Sequence, residues 1–160
     1  MSVSKKRHSK KGGPELRLAE YPLYYMAHIV SESQRKIQEA IRPLKVSPND
    51  WRVIYLLHDH AELSISDISE LALIESSTLS RLLNSLESRD LISRKIDERD
   101  QRYTNICLTA VGREAYKRII PVVSNQLEFT LQGLSTTDRK SFLRILKTVK
   151  ENTYRSPFSV

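Results

Sequence analysis

The chain has 160 residues, a formal charge of +7, four glycines and one cysteine. That length holds one domain with a real core but not two independent ones. No apolar run approaches the ~18 residues of a membrane span. The basic start MSVSKKRHSKKGG is followed by no apolar segment that would make it a secretory signal. A lone Cys107 allows no internal disulfide, so a reducing cytoplasm is the expected setting.

Lys5, Lys6, Arg7, Lys10 and Lys11 supply five of the +7 charges, so everything after residue 13 carries about +2. The basic excess therefore sits in a Gly-terminated arm, residues 1–16, expected to be disordered. Such an arm can touch nucleic acid or act as a solubilising tail.

From Leu23 the apolar positions Leu23, Met26, Val30, Ile37, Ile41 and Leu44 step by three, four or seven, which predicts one long helix over about 21–42. Pro22 suits its first turn, and Arg42-Pro43 ends it, because the residue before proline avoids the α region. A second helix opens at Ser47-Pro48 with serine as cap, and carries Trp51, Ile54, Tyr55 and His58. A short helix follows, capped by Ser64 or Ser66, with Ile68, Leu71 and Ala72 expected inward. A tight turn at 73–76 leads to another helix whose Leu79, Leu82, Leu83 and Leu86 form an apolar stripe.

Two short helices joined this way make a helix-turn-helix. The outward positions of its second helix are Ser76, Ser77, Thr78, Ser80, Arg81, Asn84 and Ser85. They are small and hydrogen-bonding, where a merely solvated face would be rich in Glu and Lys. Such a face suits close approach to base edges and phosphates.

Two β-prone runs, 91–96 and 103–108, read as a hairpin, and a hairpin after a helix-turn-helix is a wing. From the end of the first run into the loop, Arg94, Lys95, Asp97, Glu98, Arg99 and Asp100 crowd into seven positions, with Arg102 just beyond. Thr109 caps a helix expected over about 110–131, in which Pro121 should cause a kink. Ser135-Thr136-Thr137-Asp138 opens the last helix, with Phe142, Leu143, Leu146 and Val149 expected inward.

The sequence resembles the MarR family of winged helix-turn-helix transcriptional regulators over about residues 18–152. The most specific piece is Asp97-x-Arg99-Asp100-x-Arg102 followed by Leu108-Thr109-x-x-Gly112. The order of elements and the run Leu86-Glu87-x-Arg89-x-Leu91-Ile92 add support. The resemblance implies a mainly α fold with a small β-hairpin wing, in which a winged helix-turn-helix lobe is joined to a helical dimerisation region. Its divisions would be the basic arm 1–16, a first dimerisation helix 17–46, the DNA-binding lobe 47–109, closing dimerisation helices 110–152 and a tail 153–160.

It further implies a homodimeric regulator of double-stranded DNA, with two recognition helices in successive major grooves of a pseudo-palindromic operator. The wings would reach the flanking minor grooves. The DNA-contacting set is then Ser66, Ser76, Ser77, Thr78, Ser80, Arg81, Asn84, Arg94, Asp97, Arg99 and Arg102. Arg99 would enter the minor groove at the tip, where narrow A·T-rich segments concentrate negative potential. Asp97 and Asp100 would brace the arginines by charge-assisted hydrogen bonds.

The resemblance also implies a small aromatic effector, a phenolic acid or its aryl-CoA thioester, whose binding releases DNA. Tyr21, Tyr25 and His28 are spaced i, i+4, i+7, as are Trp51, Tyr55 and His58. Rings with polar tips and Arg52 nearby would suit such a ligand, although packing at a helix junction explains them equally.

His58 and His60 sit i, i+2 apart and diverge on a helix, so no metal site is expected. Cys107, between Ile106 and Leu108, reads as a buried inert thiol rather than a redox sensor. No Gly-rich phosphate loop, nucleophile motif or metal quartet is present, so neither catalysis nor a cofactor is expected. A DNA-architectural protein without an effector is the alternative.

Overall fold

The computed structural model describes residues 17–96 and 104–155. The basic arm and the hairpin tip with Asp97, Arg99, Asp100 and Arg102 lie outside the described residues.

After a 3-10 turn at Leu18–Glu20, helix α1 runs Pro22–Ile41 and a second 3-10 turn, Arg42–Leu44, ends at Lys45 in the left-handed region. Helix α2 is Pro48–His60, strand β1 Glu62–Ser64, α3 Ile65–Ala72 and α4 Ser76–Ser88. Strands β2 (Ile92–Ile96) and β3 (Thr104–Leu108) precede α5 (Ala110–Thr130) and α6 (Thr136–Tyr154). No helix among the described residues is long and apolar enough to cross a membrane.

The cap residues do what their chemistry suggests. Ser47, Ser64, Thr109 and Ser135 each accept a backbone N–H three residues on, at Asp50, Asp67, Gly112 and Asp138. Ser64, not Ser66, is the cap of α3. At Ser47 the bond is reciprocal, because the Asp50 carboxylate accepts the Ser47 N–H at 2.9 Å.

The expected hairpin is there, with Ile92 opposite Leu108 and Ile96 opposite Thr104. A third strand was not foreseen: β1 pairs antiparallel with β3, Leu63 opposite Ile106, giving the order β1-β3-β2. Three residues are too short to show an alternation in sequence, and only the pairing defines β1.

The core lies where α2, α3, α4, the sheet and the first half of α5 meet. Ile41, Val53, Ile54, Leu57, Ile68, Leu79, Leu83, Leu86, Ile106 and Ile119 are buried there. Some apolar expectations fail within one chain. Leu71 is 49% exposed, because α3 is too short to turn more than Ile68 and Ala72 inward. Helix α6 buries no residue at all, with Phe142 39% and Leu143 55% exposed. Helix α5 continues through Pro121, and α6 extends to Tyr154, past the expected boundary at 152.

The Leu108-Thr109-x-x-Gly112 step has a mechanical reason. The Thr109 hydroxyl donates to the Asp90 carbonyl at 2.5 Å and accepts the Gly112 N–H at 3.0 Å, and the Thr109 N–H donates to the Leu91 carbonyl. This seats the start of α5 on the α4–β2 turn. A Cβ on Gly112 would lie 1.9 Å from the Leu91 carbonyl oxygen, so only glycine allows the approach.

Candidate nucleic-acid interface

Helix α4 is built as a platform with one buried side. Leu79, Leu83 and Leu86 are buried with Leu82 beside them, while Ser76, Ser77, Thr78, Ser80, Arg81, Asn84 and Ser85 are all exposed. The i, i+3, i+4, i+7 geometry places Ser77, Ser80, Arg81 and Asn84 on one outward face. Ser66, in the first turn of α3, is exposed as well.

Both ends of the platform are fixed. At the N-terminal side Leu73 adopts the left-handed conformation, and the Ser69 hydroxyl donates to the Ile74 carbonyl at 2.7 Å. The Ile74 N–H returns to the Ser69 carbonyl, so the turn between α3 and α4 is closed twice. No side chain caps α4, so its first-turn backbone N–H groups have no side-chain cap as partner. The Ser77 hydroxyl donates to Glu75 at 2.8 Å, so its proton is engaged and its lone pairs remain.

At the C-terminal end Arg89 donates to Asp50 at 3.0 Å and to the Lys45 carbonyl at 2.8 Å. Asp50 is 5% exposed. One guanidinium therefore ties α4 to the capping box of α2 and to the turn that leaves α1. This clamp was missed in the sequence. Its two halves were visible separately, as a Ser-x-x-Asp cap and as the Leu-Glu-x-Arg run, but nothing local joins residues 39 positions apart.

Arg94 is the one described wing residue of the expected DNA set, and it is already engaged. Its Nη2 donates to Asn84 Oδ1 at 2.7 Å and its Nη1 pairs with Glu87 at 2.9 Å, both on α4. Lys95, next along β2, is exposed.

The aromatic candidates divide. Tyr21 is the extended cap residue of α1 rather than a helical one, so the i, i+4, i+7 face does not include it. Its neighbour Tyr24 instead meets both Tyr25 (5.4 Å) and His28 (4.4 Å) edge-on. Tyr25 donates to the Ala19 carbonyl and lines a groove between α1 and α6, whereas His28 lines a cleft between α1 and α5 with Lys36 and Phe129. Near that cleft the Arg35 hydrogen bond holds the Glu32 carboxyl below its ordinary range.

Trp51 and Tyr55 meet edge-on at 5.4 Å, and His58 stacks on Tyr116 of α5 at 3.7 Å. Tyr55 approaches the same Tyr116 ring at 6.3 Å, and Arg52 beside them is half-buried. Tyr116 was missed because it lies on α5, far from the others in sequence. Among the described residues no ring contact joins the α1 group to the α2 group. His60 lies 3.7 Å from Asp59, and no group of metal-binding type forms among the described residues. Cys107 is half-buried rather than buried, 3.2 Å from the Ser93 hydroxyl across the ladder.

Residues 46–104, from the end of the α1–α2 turn to the first residue of β3, match the MarR family model. Over these residues, and in its fold, the chain resembles the MarR family. The chain is 24% identical over 145 residues to the HTH-type transcriptional repressor IacR of Pseudomonas putida, spanning 91% of itself and 87% of that protein. A MarR-family regulator from Silicibacter pomeroyi superposes with a TM-score of 0.79 at 27% identity, covering 94% of this chain and all of that one. The same fold, at 20% identity and a TM-score of 0.72, occurs in Bordetella bronchiseptica BpsR, covering 81% of this chain and 98% of that one. That structure concerns regulation of BpsR's DNA binding by 6-hydroxynicotinic acid. The proteins the chain matches are thus transcriptional regulators of the MarR type.

Proposed function

We propose that the chain acts as a homodimeric repressor. It would place α4 of each protomer in successive major grooves of a pseudo-palindromic operator and leave that operator when a small aromatic acid binds. The observation that carries the DNA half is the outward face of α4. Ser77, Ser80, Arg81 and Asn84 are exposed together on a helix pinned at both ends, so their side chains reach a duplex without reorganising the backbone. Arg81 has the fork geometry that reads guanine, and Ser76, Ser77, Thr78, Ser80 and Ser66 supply short hydrogen-bonding contacts to backbone and bases. Arg99 would enter the minor groove from the wing tip, braced by Asp97 and Asp100, while Arg102 near the hairpin base would contact phosphate or hold Asp100.

Dimerisation is supported by apolar surface that one protomer leaves open. Leu23, Met26, Ile29, Phe142, Ile145 and Leu146 line a groove of about 450 Å³ between α1 and α6, and α6 buries nothing by itself. A second copy related by a two-fold axis would cover this face and set the spacing of the two α4 helices. The effector half is supported by the Trp51, Tyr55 and Tyr116 rings with Arg52 and His58 beside them. These offer flat apolar faces and cationic or hydrogen-bonding tips to a planar carboxylate or aryl-CoA thioester. BpsR, with its 6-hydroxynicotinic acid, lends this the weight of a shared fold.

Footprinting tests the reading against an architectural role. A regulator protects one short palindrome and releases it on titration with a phenolic acid or aryl-CoA, whereas an architectural protein coats DNA with little sequence preference. Sedimentation should give a species of about 37 kDa, twice the 18.5 kDa chain. A monomer at micromolar concentration would remove the two-fold geometry on which the operator reading depends.

A further inference from the structure

The geometry points to Arg94 as a positioning residue that sets which bases Asn84 reads, rather than as a DNA contact of its own. Asn84 and Glu87 lie one turn apart on α4, and the Arg94 side chain reaches back from β2 to hold both. Nη1 pairs with the Glu87 carboxylate at 2.9 Å while Nη2 donates to Asn84 Oδ1 at 2.7 Å. With one nitrogen anchored on Glu87, the plane of the guanidinium is fixed and the other nitrogen is aimed at Asn84.

The orientation of the Asn84 amide then follows from chemistry. A guanidinium carries only donors, so the atom facing it must be the carbonyl oxygen. The oxygen is drawn towards β2, and the NH₂ group is turned the other way, towards the outward face that Asn84 shares with Ser77, Ser80 and Arg81. A free asparagine recognises adenine by using both ends of its amide, donating to N7 and accepting from the N6 amino group. Here the accepting end is engaged by Arg94 and turned towards β2. What it leaves foremost for the major groove is the donor. A donor is matched twice on guanine, at O6 and N7, and once on thymine, at O4; adenine still offers N7, but beside an amino group that the donor opposes, and cytosine offers no acceptor. Asn84 should therefore favour guanine or thymine over adenine, and Arg94 should be the reason.

The inference rests on α4 entering the major groove, as proposed above. Randomised duplex DNA, selected on the full-length protein and sequenced, tests both and separates them. The wild-type protein should enrich a palindrome with guanine or thymine at one position per half-site. Asn84→Ala should lose that preference, by about tenfold, at that position only. Arg94→Met keeps the aliphatic stem but frees the Asn84 carbonyl, and should shift the same position towards adenine. The double variant Asn84→Ala with Arg94→Met should show no preference there.

If Arg94→Met binds more weakly but keeps the wild-type base preference, Arg94 is a phosphate contact and the inference is overturned. It is equally overturned if Asn84→Ala leaves every position unchanged. A wild-type protein that enriches no sequence defeats the operator reading itself. Arg94 is partly exposed and caps no helix, so circular dichroism should show both single variants folded.

Discussion

Removing the Arg89 side chain should separate the two jobs of the clamp at the end of α4. Arg89→Met keeps the aliphatic length but takes away two hydrogen bonds, to Asp50 at 3.0 Å and to the Lys45 carbonyl at 2.8 Å. Asp50 would then hold its charge at 5% exposure with the Ser47 N–H as its remaining partner. Breaking a fully buried ion pair from one side costs roughly 3–5 kcal/mol. The Arg89 side chain is 34% exposed, so water can enter where it leaves, and Asp50 keeps its cap bond. Both facts lower the expected cost to roughly 2–3 kcal/mol.

Asp50→Ala should lose a similar amount, because it removes the capping box together with the pair. The double variant isolates the interaction, with a coupling of about 1–2 kcal/mol expected. Urea unfolding at one fixed protein concentration measures all four species, since the stability of the proposed dimer would depend on concentration. Because the clamp fixes the C-terminal end of α4, the variants should also bind DNA more weakly at temperatures where they remain folded. A coupling below about 0.5 kcal/mol would refute a clamp by which this pair joins the α1–α2 turn to α4.

Gly112→Ala should destabilise the fold by roughly 2 kcal/mol or more, since the Leu91 carbonyl 1.9 Å away is backbone and cannot swing aside; near-normal urea stability would refute that. Arg81→Ala should weaken specific binding by about 1–3 kcal/mol per half-site while leaving nonspecific binding nearly unchanged. Deleting residues 1–13 should weaken all sequences alike and flatten the dependence of affinity on salt; an unchanged slope removes the arm from the DNA interface. Asp97→Ala should loosen binding at fixed salt if it braces Arg99, while tighter binding would mean that its charge merely repels the duplex.

Local chemistry alone determined much of this protein. Cap residues and prolines marked where α2, α5 and α6 begin, because a cap needs only a side chain and the N–H three residues away. The leucine stripe of α4 and its small polar face were legible for the same reason, since both follow from a period of 3.6. Tertiary structure decided whatever joins distant positions. Arg94 looked like one more cation beside a charged loop, and only the packing of β2 against α4 shows it holding Asn84 and Glu87. Arg89 and Asp50 each had a local reading, but their partnership depends on how α4 ends against the start of α2.

The aromatic set shows the same division. Spacing assigned Tyr21 to a helical face, but Pro22 begins the helix one residue later and leaves Tyr21 extended, while Tyr116 arrives from α5 to join Tyr55 and His58. Periodicity marked Phe142 and Leu143 as apolar positions but could not say what they face. Within one chain both stay exposed, Phe142 at the open groove between α1 and α6, because the remaining helices have already closed their core without α6.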